Sequence, residues 1–338
     1  MPELTVSAGI VIGLIAFAAE RGADAGALVE RAGLASAALD DPDDRVPFER
    51  YAALMRAAKE MTNDPALALH YGELVDMSEV SILGLIMTAS ETMADALTQM
   101  QRFGRLAVEI EGVSAGARFQ PAERDGGLWL VDTRIDPNAF PELTETAFAR
   151  LTCGPRRFLP KAHVLEVHVT HAAPVYRAEY ERIFRCPVTF DSDWNALRLD
   201  PSIGTWRVAQ QPRYFFDIFA ERAGALLKTL EESKTTRGRV EAFLMPILHM
   251  GEISAERVAA AMGFSRQTLF RKLRSENTTY ERVLDELRYR MAMHYLTAKN
   301  ASVNETAYLV GFSDAPAFSR AFKRWSGRSP SEARGSRT

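Results

Sequence analysis

The sequence predicts an α+β domain, helices with a small sheet, followed by an all-α domain containing two helix-turn-helix units. Three observations carry this. Hydrophobic residues make up 47% and charged residues 25% of a 338-residue chain, which suits two ordinary cores at roughly 150 residues per domain. Near Gly112 the apolar period changes from three-and-four spacing to alternation. One helix-turn-helix pattern then occurs twice after Thr236.

Taken in order, the stretch up to Gly112 reads as Ala-rich helices broken at Asp41-Pro42-Asp43-Asp44, Asn63-Asp64-Pro65 and Asp76-Met77-Ser78. Ala117-Arg118-Phe119-Gln120 and Leu128-Trp129-Leu130-Val131 flank Glu123–Gly127, the pattern of a strand, a turn and a return strand. A helix is predicted over Leu143–Phe158, a strand over Val164–Val169 and a short helix over Val175–Phe184. Short strands are expected at Val188–Phe190 and Ala196–Leu199, around an Asp-rich turn. A long helix is predicted from Pro212 to Glu232. Its Phe219, Ala223, Leu226 and Leu230 fall on one face, suited either to packing on its own domain or to dimerisation. The polar run Lys234-Thr235-Thr236-Arg237-Gly238 reads as the inter-domain linker. The expected organisation is residues 1–208 for sensing and dimerisation, 209–236 for the connecting helix and linker, and 237–338 for the helical domain.

In the first repeated unit, Ser254 caps a short helix, Gly263 supplies a left-handed turn position and Ser265 caps the next helix. In the second, Ser302 and Glu305 fit a capping box, Gly311 turns the chain and Ser313 or Asp314 caps the succeeding helix. Gly-Phe-Ser recurs 48 residues apart. Each turn opens an amphipathic helix. Leu269, Phe270 and Leu273 face inward in the first, and Phe318 and Phe322 in the second, with Trp325 behind them. Between the units, Thr278 and Glu281 suggest a cap for a helix running to about Ala298. A helix set after such a turn can enter a major groove, where Arg and Gln pair bidentately with base edges.

Charge points the same way. From Thr236 onward there are 17 Lys+Arg against 10 Asp+Glu, whereas the preceding residues hold 24 against 34. A basic module on an acidic body suits polyanion binding. The most apolar stretch, Val6–Ala19, has 14 residues, short of the ~20 needed to cross a bilayer. Pro2 and Glu3 before it argue against a secretory signal. Two cysteines, Cys153 and Cys186, without paired spacing suit a reducing compartment. The expectation is therefore a cytoplasmic protein with no membrane contact.

The second unit, Glu305 through Pro330, resembles the AraC/XylS family of bacterial transcription regulators. The likeness runs through Ala307-Tyr308-Leu309-Val310-Gly311-Phe312-Ser313-Asp314 and closes on Gly327-Arg328-Ser329-Pro330. Val258 through Leu273 fits the family's first unit, and the likeness spans about Arg239–Arg334. One departure is Ala333, where the family often carries an aromatic residue, so a weaker terminal packing contact is expected. Ala32-Gly33-Leu34, Asp40–Pro47, Asp64–Leu69 and Leu83–Met87 are similar to the branch of ornithine-utilisation activators. The resemblance implies an activator with a seven-helix-type DNA-binding domain, acting on double-stranded promoter DNA and RNA polymerase as a homodimer, under a small-molecule effector. It assigns base reading to Gln267 and Arg271, and to Pro316, Ala317 and Arg320. Arg266, Ser319 and Lys323 become phosphate contacts. Pro316 and Ala317 donate no side-chain hydrogen bonds, so the second unit is expected to read shape and thymine methyls.

Other constellations point elsewhere or nowhere. His163 and His168 have opposite parity on a strand, which disfavours a metal site with His171. The sequence offers no nucleophile elbow, phosphate loop or HExxH, so no enzyme activity, cofactor or metal is expected. Cys153 before Gly154-Pro155-Arg156-Arg157 could be a thiol activated by arginine or simply a buried one. Glu109 and Glu111 read as a solvated helix end. Trp129 is the weak candidate for an effector contact, against a core role. Two alternatives remain: an N-terminal domain that only oligomerises or contacts a protein, and an enzyme fused to a DNA module.

Overall fold

The computed structural model describes residues 4–110, 118–159, 161–208, 213–251, 253–297 and 301–335. The chain forms two compact units, Met1–Leu227 and Lys228–Thr338. The first opens with β1 (Thr5–Ser7) and α1 (Ala8–Ala19), then α2 (Ala25–Ala32), β2 (Arg45–Pro47), α3 (Phe48–Met61), α4 (Leu67–Leu74), α5 (Met77–Val80), α6 (Ile82–Ala89) and α7 (Met93–Ala107). The apolar Val6–Ala19 run is thus a short strand and a core helix, with Ile10, Val11 and Leu14 buried.

The sheet comprises β3 (Phe119–Arg124), β4 (Gly127–Asp132), β5 (Val164–His168), β6 (Val188–Thr189) and β7 (Asn195–Leu199). Between these strands lie α8 (Glu142–Arg156) and α9 (Arg177–Phe184). The sheet order is β3-β4-β7-β5-β6, antiparallel except for β5 beside β6. Leu130 sits opposite Leu197 and Leu128 opposite Leu199. Alternate residues of these strands therefore point to one face, where they join Phe148 of α8 and Tyr180 and Phe184 of α9 in a single core. The β3–β4 turn is tighter than expected. Asp125 and Gly126 both take positive φ, 53° and 69°, so a two-residue turn lets β3 run on through Arg124.

The middle of α8 is enclosed, with Leu143 through Ala149 all buried. Its approach is pinned by the buried Asp132, whose carboxylate accepts from Arg118 at 3.0 and 2.7 Å and from Arg134 at 3.3 Å. Burial works against the Asp132 charge, but the Arg118 and Arg134 guanidiniums outweigh it and hold its pKa below the ordinary value. Glu109 is a correction. It is 2% exposed rather than solvated, and its carboxylate accepts from Thr5 Oγ1 at 2.8 Å and Arg105 at 3.4 Å. Glu111 lies outside the described residues.

The long helix α10 covers Arg213–Lys234; Pro212 lies outside the described residues. The polar run after it is almost wholly helical rather than slack. α11 (Thr236–Leu244) starts two residues after α10 ends, and Thr235 caps it through a 2.8 Å bond from the Gly238 amide to Thr235 Oγ1. The Glu276 carboxylate also accepts from the Thr236 and Arg237 amides at 2.7 and 2.9 Å. Short side-chain caps thus replace the slack that a polar composition suggested.

The second unit continues with α12 (Ala255–Ala261), α13 (Arg266–Ser275), α14 (Tyr280–Thr297), α15 (Val303–Leu309), α16 (Ala315–Ser326) and α17 (Pro330–Gly335). The cap before α14 is Thr279, which accepts from the Arg282 amide at 3.2 Å. Thr278, the expected cap, is buried one residue earlier. Ala298, the expected end of α14, lies outside the described residues. Ala333 is 1% exposed, so the last helix is packed despite the smaller side chain.

Candidate nucleic-acid interface

The two helix-turn-helix units share one core. Leu269 and Leu273 of α13, Val283 and Leu287 of α14, and Phe318 and Phe322 of α16 belong to the same buried cluster. Both recognition helices are thereby fixed to a common body. Both turns use a left-handed glycine, Gly263 at φ +71° and Gly311 at φ +81°. Ser254 and Ser302 cap the preceding helices by accepting from the amides of Arg257 and Glu305. The recognition helices are capped by Ser265, which accepts from Thr268 N at 3.2 Å, and Asp314, which accepts from Ala317 N at 2.6 Å. Each such cap is worth about 1 kcal/mol.

The caps reveal a register that Gly-Phe-Ser conceals. The glycines are 48 residues apart, but the caps are 49 apart, because the second turn is one residue longer. Aligned on their caps, Leu269 and Leu273 match Phe318 and Phe322, all buried. The opposite stripe matches Gln267 with Pro316, Arg271 with Arg320 and Arg274 with Lys323, all exposed. These positions stand four and three residues apart and so line one helical face.

The cations on that stripe are uncommitted. Among the described residues no ion pair engages Arg271, Arg274, Arg320 or Lys323. Arg266, by contrast, pairs with Glu256 at 3.1 Å and lies over the Phe270 ring. Arg324 pairs with Asp285 at 3.0 Å. Ala317 and Ser319 are half-buried beside the stripe. Arg274 is not among the residues that the resemblance assigns; its match to Lys323 brings it into the stripe. That match depends on the cap positions, which repeat spacing alone does not give.

A family model for the arabinose-binding domain of AraC transcription regulators, N-terminal, matches residues 22–207. A helix-turn-helix domain model matches residues 258–336. This chain belongs to the AraC family of transcription regulators. It is an AraC-type DNA-binding regulator with an N-terminal effector-binding domain, and not an enzyme. It is 28% identical to the ornithine utilization regulator of Pseudomonas aeruginosa over 95% of this chain and 94% of that one. It is 27% identical to the regulator VirS of Mycobacterium tuberculosis over 52% of this chain and 51% of that one. Among solved structures, CdpR of P. aeruginosa aligns over 84% of this chain and 91% of its own, at 21% identity and a TM-score of 0.40.

The other singled-out residues of this AraC-type regulator have local roles. Trp129 is 6% exposed, its ring 4.9 Å from both Trp194 and His168, and its Nε1 donates to the Arg124 carbonyl. His163 Nε2 lies 2.8 Å from the Leu151 carbonyl, His168 bonds Ser192 and Glu166, and His171 meets the Tyr180 hydroxyl. The three histidines thus have separate partners. Cys153 is buried, and burial pushes its thiol up, which outweighs the pull of Arg156. On α10, Ala223 and Leu230 are already buried within the chain, and Phe219 and Leu226 are half-buried. Phe215 and Ile218, on the same helix, are exposed large apolar residues, at 39% and 44%. Among the described residues, no helix is long and apolar enough to cross a membrane.

Proposed function

We propose that this chain is a cytoplasmic, effector-controlled activator that binds promoter DNA as a homodimer and contacts RNA polymerase. The observation that carries the DNA part is the pair of matched stripes, Gln267-Arg271-Arg274 and Pro316-Arg320-Lys323, exposed on capped helices of one core. α13 and α16 would occupy successive major-groove segments on one side of the duplex. Arg271 and Arg320 would read base edges. Gln267 would add amide pairing, while Pro316 and Ala317 would offer apolar surface to thymine methyls. Arg266, Arg274, Ser319 and Lys323 would hold phosphates, Arg266 after leaving Glu256. The activating sign is supported by relatives such as the transcriptional activator RhaS of Escherichia coli, 36% identical over 32% of this chain and 40% of its own. Dimerisation would use the exposed Phe215 and Ile218 with Phe219 and Leu226, rather than the buried Ala223 and Leu230.

The test is fluorescence anisotropy of the full chain, with duplex from upstream of its own and neighbouring genes and with random duplex. A preferred site, bound ~10³-fold or more tightly and weakened steeply by salt, supports the reading. Arg271→Ala or Arg320→Ala should then cost about 1–3 kcal/mol, focused on one base position. Equal loss on specific and random DNA would remove the base-reading role.

A further inference from the structure

Both helix-turn-helix turns carry a phenylalanine after the left-handed glycine, and both rings lie under a guanidinium from the helix that precedes the unit. Arg239 of α11 stands 5.4 Å from the Phe264 ring centre, and Arg288 of α14 stands 5.0 Å from that of Phe312. The two arginines are 49 residues apart, the same step as the caps. There the likeness ends. Arg239 is exposed, and among the described residues its side chain makes no hydrogen bond. Arg288 is half-buried, and its Nη2 donates to the Gly251 carbonyl at 3.0 Å and reaches the Gly311 carbonyl at 3.5 Å. One guanidinium thus ties α14 both to the segment before α12 and to the second turn.

α14 grips α16 at two further points. Asp285 pairs with Arg324 at 3.0 Å, and the Tyr289 ring packs 5.5 Å from Phe322 and 6.4 Å from Trp325. Both points lie in the C-terminal half of α16. The N-terminal end, which reaches base edges in a docked helix, follows directly from the turn that Arg288 holds. Phe312 carries that hold onward, its ring 5.7 Å from Phe318 and 6.0 Å from Trp325. With the guanidinium gone, α16 keeps its buried side chains and its rear contacts, but the turn feeding its first residues loses its clasp. A shift of about 1 Å there takes a bidentate arginine–base pair out of range, since donor and acceptor must stand within roughly 3.2 Å.

We infer that Arg288 is a positioning residue for DNA reading. It sets the pose of α16 through the second turn rather than by touching DNA, so that sequence discrimination by the second unit, and not by the first, depends on it. This rests on the assignment of base reading to α13 and α16 made above.

The test is a base-substitution profile of the full chain, by anisotropy with the preferred duplex and each single base-pair variant of it. Wild type, Arg271→Ala and Arg320→Ala first mark the segments read by α13 and α16. Arg288→Met keeps length and apolar bulk without donors or charge. It should reduce the penalties in the α16 segment about tenfold, the worth of one base contact, and leave those in the α13 segment within about twofold. Arg288→Lys, which keeps a cation over Phe312 without the fork, should fall between Arg288→Met and wild type. Arg239→Met should leave both segments unchanged. If circular dichroism shows Arg288→Met unfolded, Phe312→Leu carries the same test, because it takes the ring from under the guanidinium and should weaken the same segment. A simple loss of folded protein lowers binding to every duplex in proportion and leaves the profile as it was. The inference is overturned if the Arg288 and Phe312 variants keep the wild-type profile, or if the α13 segment weakens with the other or in its place. A wild-type profile in which Arg320→Ala marks no segment refutes the base-reading assignment, and this inference with it, before any Arg288 variant is measured.

Discussion

Gly263 and Gly311 occupy the same step of the repeated unit and share a left-handed φ, yet substitution should affect them very differently. A Cβ at Gly263 would meet nothing within 4 Å, so Gly263→Ala carries the left-handed backbone cost alone, about 1–2 kcal/mol. A Cβ at Gly311 would stand 2.3 Å from the Leu248 carbonyl oxygen and 3.2 Å from the Gly251 backbone. These are main-chain atoms that cannot rotate aside. The same locus is tied by Arg288, whose Nη2 donates to the Gly251 carbonyl at 3.0 Å and reaches the Gly311 carbonyl at 3.5 Å. Making room would displace those contacts, adding about 1–3 kcal/mol of overpacking to the backbone cost. Gly311→Ala should therefore lose about 2–5 kcal/mol. Differential scanning calorimetry of the full chain checks this, the helical unit's transition being the one that moves when cognate duplex is added. Equal losses for the two variants, within about 0.5 kcal/mol, would refute the close approach at Gly311 as the reason for glycine there.

Arg274→Ala and Lys323→Ala should weaken binding nearly uniformly across sequences. Each should flatten the slope of log affinity against log salt by about 1, as read by anisotropy at several salt concentrations. Asp314→Ala, which removes the acceptor for the Ala317 amide, should cost the helical unit about 1 kcal/mol, with Asp314→Ser recovering most of it. Asp132→Asn should destabilise the N-terminal unit by about 3–5 kcal/mol at neutral pH by leaving Arg118 and Arg134 without their anion. Because the folded Asp132 pKa lies below its unfolded value, its stabilisation is present above about pH 4 and is lost as pH falls through the lower folded value. Urea titrations at pH 7 and pH 3 should show the wild-type advantage shrinking at the lower pH.

Short-range chemistry decides the features that were legible in the sequence. Ser254, Ser265, Ser302 and the helix glycines mark helix ends because caps and left-handed turns depend on one or two local residues. The amphipathic stripes of α13 and α16 come from spacing alone. The failures are places where a distant partner overrides local character. Glu109 looks solvated until Thr5, 104 residues away, and Arg105 enclose it. Lys234–Gly238 looks like a linker until Glu276 caps the next helix from 40 residues on. The strands of the N-terminal sheet are legible from their alternation, whereas Trp129, Trp194 and His168 pack on one another and so give no sign of a ligand.

The hydrogen bonds at the start of α11 bear on how the effector control proposed above would reach the first recognition helix. A flexible polar linker would couple the two units only through effective concentration, and a ligand in one would leave the recognition helices of the other unchanged. Within the second unit, the start of α11 is held by side-chain caps. α10 is continuous from Arg213 to Lys234, a single residue separates it from α11, and the Glu276 carboxylate holds the first two amides of α11. Glu276 is also the C-terminal cap of α13, the helix that carries Gln267, Arg271 and Arg274. The start of α11, inside the second unit, is thus bonded to the end of the first recognition helix. A coupling of about 2 kcal/mol, some thirtyfold in DNA affinity, lies within the usual allosteric range. It is comparable to the worth of one or two charge-assisted hydrogen bonds. The two bonds at Glu276 are therefore of the size needed to make the pose of α13 depend on what the end of α10 does. An effector acts through them only to the extent that it binds one arrangement of that helix end more tightly than the other.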